Sequence, residues 1–170
     1  MATATVNYSS NTSITCSVAS TASSETFIAG RESDEIDNTT DKYLDAMVRG
    51  KVTVGTTPTA NTQINIYVWG SDVSLATTAI DDLVGTDGTA SLTNTGILFS
   101  ALTRLATITV TATTSDTDYD FPPSSVCGAL GLQVLPKFWG LYVAHNTGVN
   151  LNASGGNHFF EYVGTKLDVA

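Results

Sequence analysis

Three carboxylates, Asp116, Asp118 and Asp120, alternate along the stretch SDTDYDF. D-x-D-x-D opens a calcium loop, in which oxygen ligands at such spacing converge on one hard cation. The pattern stops there. Phe121 stands where the loop turns on glycine, and Cys127 where it needs a bidentate glutamate. These aspartates are the candidate metal ligands, set against the plainer reading of a solvated acidic loop ahead of Pro122–Pro123. Both histidines sit at strand ends, His145 in YVAHNTG and His158 in SGGNHFF. No G-x-S-x-G, H-E-x-x-H or C-x-x-C accompanies them, so nucleophilic, zinc and dithiol chemistry lack their usual residues. A hydrolase would have to draw on Asp116–Asp120 with Glu161 as carboxylates across a cleft. No glycine-rich loop cradles a phosphate; Gly155–Gly156 lies between two strands and reads as a hairpin turn. The expectation is a chain with no catalytic residue and no cofactor. Cys16 and Cys127 read as reduced, buried small residues.

The composition narrows the partners. Seven Lys and Arg oppose 16 Asp and Glu, a net charge of −9, and no basic stretch occurs in the 170 residues. Phosphate backbones and anionic membranes are bound by clustered Lys and Arg, so nucleic acid and membrane are excluded as expected partners. Glu25, Glu32, Asp34, Glu35, Asp37, Asp41 and Asp45 crowd one segment, read as a solvated acidic loop over 31–41. The opening MATATVNYSS has neither the basic nor the apolar region of a secretory signal. No apolar run approaches a membrane span.

Charged residues are only 14% of the chain, with Thr, Ser, Ala, Gly and Val in their place. That balance favours strands over helices. In 43–54, Leu44, Ala46, Val48, Gly50, Val52 and Val54 alternate with Asp45, Met47, Arg49, Lys51 and Thr53, a half-buried strand. In 63–69, Ile64, Ile66 and Val68 alternate with Asn65, Tyr67 and Trp69. The two segments read as an antiparallel pair. Further strands are expected at 97–101, 104–112, 126–134, 138–144 and 158–163. A short strand is also expected from residue 13, with Ile14, Cys16 and Val18 on one face. Residues 71–96 give no clear signal. The fold class predicted is all-β: an antiparallel, jelly-roll-like sandwich of about eight strands over 13–170. Its expected interior is Val48, Val52, Ile64, Ile66, Ile108 and Val110. Residues 1–12 form a Ser/Thr-rich arm with too little apolar surface to fold back stably, and are expected to contact another chain. Phe138, Trp139 and Tyr142 are candidate buried contacts, in the core or between subunits. Exposed aromatics would instead stack on sugar rings.

Two stretches carry a resemblance. The segments YLDAMVRGKVTVGTTPTANTQINIYVWGS (43–71) and LPKFWGLYVAHNTGVNLNASGGNHFFEYVG (135–164) resemble small virion structural proteins of tailed bacteriophages. In the second stretch the shared pattern is Leu135, Pro136, Lys137, Trp139, Gly140, Asn146, Thr147, Gly148 and Asn157–His158. The resemblance implies a β-sandwich on the phage particle, such as a capsid decoration (cement) protein. Its implied partner is the major capsid protein, its implied assembly a homotrimer, and its implied location the capsid surface after synthesis in the host cytoplasm. It brings no catalytic residues. The alternative is a tail or fibre module that binds host-surface carbohydrate.

Overall fold

Period-two alternation becomes strands in two antiparallel sheets. The computed structural model describes residues 3–169, Val169 by its backbone alone. Sheet I has the order β1-β11-β5-β9, formed by Ala4–Tyr8, Phe159–Val169, Asp45–Thr53 and Asp118–Ser125, with β2 (Thr12–Ser13) also beside β11. Sheet II has the order β7-β3-β10-β6-β8, formed by Gly88–Ser91, Ala29–Glu32, Phe138–His145, Thr62–Ser71 and Thr103–Val110, with β4 (Ile36–Asp37) also beside β10. The all-β sandwich expected from sequence is what forms. All six expected interior residues are buried; the most exposed, Ile108, is at 6%. Each such side chain contributes roughly 1.5–3 kcal/mol by leaving water. Trp139 from sheet II meets Tyr162 from sheet I edge to face, ring centroids 5.3 Å apart.

Several connections differ from the sequence reading. β5 and β6 do not pair: β5 lies between β11 and β9, and β6 between β10 and β8. Their apolar faces meet across the core, so the loop between them passes from one sheet to the other. Gly155–Gly156 is no hairpin turn for the same reason. It forms a short 3-10 helix, Gly155–Asn157, between β10 of sheet II and β11 of sheet I. The segment 97–101 falls in a helix, α1 (Thr95–Ala101), because the Asn94 side chain accepts the Ile97 N–H and caps its first turn. The segment 126–134 begins as a helix, α2 (Val126–Leu130). Ser125 caps it by accepting the Gly128 N–H, and Gly131 ends it at φ 68°. Pro122 and Pro123 lie within β9, tolerated because β9 is an edge strand.

Of the N-terminal arm, residues 1–2 lie outside the described residues, and the rest folds back on its own chain, which the sequence reading did not expect. β1 and β2 run antiparallel along β11 of the same chain, Val6 opposite Leu167 and Thr12 opposite Tyr162. Backbone hydrogen bonds need no apolar side chains, so a Ser/Thr-rich segment can complete a sheet edge. Beyond it Ile14, Cys16 and Val18 are buried with the core as expected, though 14–18 forms no regular strand.

A third layer covers sheet II. Residues 72–102 leave β6, supply β7 and α1, and return at β8. They lay Leu75, Leu83, Leu92, Leu98 and Leu102 against Tyr67, Trp69, Tyr142 and Ala144. β6 is therefore buried on both faces, where its alternation suggested one.

Candidate functional site

The candidate metal ligands do not converge. Asp116 sits on a turn at φ 57° and accepts the Asn152 Nδ2–H at 2.6 Å. Asp118 points from β9 to Lys51 Nζ (3.0 Å) and to the Thr53 hydroxyl (2.6 Å). Those bonds, the Thr53 hydroxyl foremost, hold its carboxyl below the usual range. Asp120 is exposed further along β9. Among the described residues, no three His, Cys, Asp or Glu side chains are placed to hold a metal ion. Glu161, the carboxylate a hydrolase would need, is engaged by Arg49 and by Asn11.

The histidines serve the scaffold. His158 accepts the Thr53 N–H at Nδ1 (3.2 Å) and faces the Asn152 carbonyl through Nε2 (2.9 Å). His145 faces the Thr21 carbonyl through Nε2 and the Thr147 hydroxyl through Nδ1, each at 3.0 Å. Burial holds both imidazoles below their ordinary range. Cys16 and Cys127 are free and buried; burial, joined by Asp45, pushes the Cys127 thiol up to about 12.

Of the two roles expected for the aromatic candidates, the fold gives them the core. Trp139 and Tyr142 are fully buried and Phe138 is half-buried. The Tyr142 hydroxyl donates to the Phe27 carbonyl at 3.1 Å under the third layer.

The acidic segment is solvated only in its second half, where Asp37 and Asp41 are exposed. Glu32, Asp34 and Glu35 instead hold the third layer by taking backbone N–H groups. Glu32 is 1% exposed; it accepts Val84 N–H at Oε2 (2.9 Å) and Gly85 N–H at Oε1 (2.7 Å). Glu35 accepts Leu75 N–H and Asp34 accepts Asp87 N–H, each at 2.7 Å. In return Asp87 pairs with Arg31 at 2.8 Å and accepts Ser17 N–H. Within the layer, Asp82 accepts Ser91 N–H, and Asp81 binds both the N–H and the hydroxyl of Thr93. Sequence reasoning missed this because carboxylates spaced for solvent and carboxylates aimed at a distant loop look alike along the chain.

Charge is therefore lopsided. Segments 25–35 and 72–102 carry eight acids (Glu25, Glu32, Asp34, Glu35, Asp72, Asp81, Asp82, Asp87) and one base, Arg31. That is −7 of the net −9. The opposite outer face, on sheet I, lies outside the third layer. There Arg49–Glu161 and Lys51–Asp118 neutralise one another. Beside them on the same face stand Met47, Pro123, Val163, the exposed Phe159 (42%) and Tyr8 (71%). A groove of about 470 Å³ runs across this face, bordered by Tyr8, Asn11, Met47, Arg49, Pro123 and Glu161. It presents apolar contact beside self-paired charge, which suits docking better than bond-breaking.

Compared with known proteins, the chain matches no family model, no curated protein and no solved structure.

Proposed function

We propose that this chain is a virion structural protein that binds the outer surface of a phage capsid and stabilises it. The reading starts from the sequence resemblance. The lopsided surface carries it further: a face with Met47, Phe159, Val163 and Tyr8, where Arg49 and Lys51 are paired with carboxylates, lies opposite the third layer, which together with segment 25–35 holds −7 of the −9 charge. A cement protein needs one face that buries against the shell and another that stays in water. Like-charge repulsion keeps the acidic side outward and neighbouring particles apart. The partner is the major capsid protein. A ligand that binds only the assembled shell stabilises it by linkage, more strongly as occupancy rises.

The test uses particles lacking this protein. They should assemble but burst at lower temperature, and purified protein should restore them. A Phe159→Asp, Met47→Glu double variant should keep its fold and fail to restore. Restoration equal to the parent protein would refute the assigned face. Particles equally robust without the protein, yet unable to adsorb to cells, would favour the second reading. In that reading the groove binds host carbohydrate, with the exposed Tyr8 ring beside Asn11, Arg49 and Glu161.

A further inference from the structure

A two-sheet sandwich exposes four strand edges, and each unpaired edge invites another strand unless something blunts it. Three are blunted here. β9 carries Pro122 and Pro123, a register shift against β5, and the charges of Asp118 and Asp120. β8 packs against β9. β7 is four residues long, and Asp82 takes its Ser91 N–H. The fourth edge, β1, has no proline and no charge, and among the described residues its outward backbone groups have no hydrogen-bond partner. The first charged residue of the chain is Glu25.

β1 is also incompletely supported. The last pair between β11 and β5 is Thr165 with Asp45, whereas β1 follows β11 as far as Val169. Residues 4–7 and 166–169 therefore project as a two-stranded ribbon. Such a ribbon is marginal in water, and three or more strands are needed for independent stability. Its outward side is apolar: Val6 is 50% exposed and Leu167, directly opposite, 52%. The polar residues Thr5, Asn7, Lys166 and Asp168 take the other side, where Asn7 bonds Asp168.

We infer that two copies of this chain pair edge to edge through β1, antiparallel about a two-fold axis at Val6. An antiparallel edge is complementary to its own two-fold copy, because its donors and acceptors alternate. The ribbon becomes four strands, β11-β1-β1-β11, and one row across it reads Leu167, Val6, Val6, Leu167. Ala4 falls opposite the partner's Tyr8, small against large, and Thr5 opposite the partner's Asn7. Two chains of −9 charge meet where neither bears charge, and the acids of the third layer lie on the far side of each sandwich. With the other edges blunted, the contact closes as a dimer and does not propagate. The pairing is independent of what the outer face of sheet I docks on.

Sedimentation of the full chain over a concentration series should show a species of twice 17.8 kDa. Val6→Lys places two lysines across the axis and should weaken the dimer by roughly tenfold or more. Val6→Glu should do the same, and mixing the two variants should restore a heterodimer. If either variant misfolds, amide exchange of residues 4–8 in the parent protein decides, since it should slow as concentration rises. A monomer at every concentration, exchange independent of concentration, or a three-copy species unmoved by Val6→Lys would each overturn the pairing.

Discussion

Replacing Glu32 by glutamine tests whether carboxylates hold the third layer. The substitution keeps the volume and one acceptor oxygen, but turns the other oxygen into an amide NH2 group facing a backbone N–H. Of the bonds from Val84 and Gly85, at 2.9 and 2.7 Å, one survives as a neutral bond and one is lost at a site 1% exposed. Losing a charge-assisted bond and stranding a buried donor costs about 2 kcal/mol, a roughly thirtyfold shift in the folding or opening equilibrium. The loss stays near that figure because burial pushes the Glu32 carboxyl up, against the downward pull of the two N–H groups. The sign for pH follows. A carboxyl raised in the folded state holds its proton longer there, so Glu32 alone makes stability decline as pH climbs from about 4.3 through the folded value. Above that value its contribution is flat. Urea unfolding read by tryptophan emission reports the global loss, and native-state exchange at amides 83–87 reports local opening. Trp69 lies beneath this layer and senses both. A Glu32→Gln protein within about 0.5 kcal/mol of its parent, with unchanged exchange at those amides, would refute the carboxylate clasp.

Two further outcomes follow from the scaffold. His158 and His145 are held below their ordinary range, so the unfolded chain binds protons first, and stability should fall as pH drops from about 6.5 through the folded values. Unfolding midpoints between neutral pH and mildly acid conditions measure the slope, which should flatten in a His158→Gln chain. At Gly140 an added Cβ would stand 2.5 Å from Trp69 Cζ2 and 2.8 Å from Cε2. Gly140→Ala should therefore cost about 1–3 kcal/mol by overpacking and lower the thermal midpoint by several degrees, read by calorimetry.

The faces of strands were legible in the sequence, because Val48, Val52, Ile64 and Ile66 follow the pleat. The partners of strands were not. Alternation says which side of β5 and β6 is apolar, but nothing in it says that the two occupy different sheets. The second face of β6 misled for a related reason. Tyr67 and Trp69 lie as deep as Ile64 and Ile66, but under a segment, 72–102, whose widely spaced leucines show no period of their own. The two helices were written in their caps, Asn94 before one and Ser125 with Gly131 around the other. Their bodies, TGILFSA and VCGAL, are short apolar runs that periodicity cannot divide between helix and strand. The candidate surface stayed hidden because it depends on which face the third layer leaves uncovered. The three aspartates did stand out, and each was already committed to a neighbour or to solvent.

A segment gripped by its main chain is indifferent to most of its side chains. Glu32, Glu35 and Asp34 reach N–H groups that Leu75, Val84, Gly85 and Asp87 would present whatever residues they were. Further constraint falls on the inward leucines, on Gly85 at φ 75°, and on Asp81, Asp82, Asp87 and Asn94, whose side chains hold bonds of their own. Positions 76–79, exposed between these anchor points, can then change freely while the grip persists. The outermost surface is thus the part of this molecule most open to sequence drift, and the natural place to graft a foreign peptide for display.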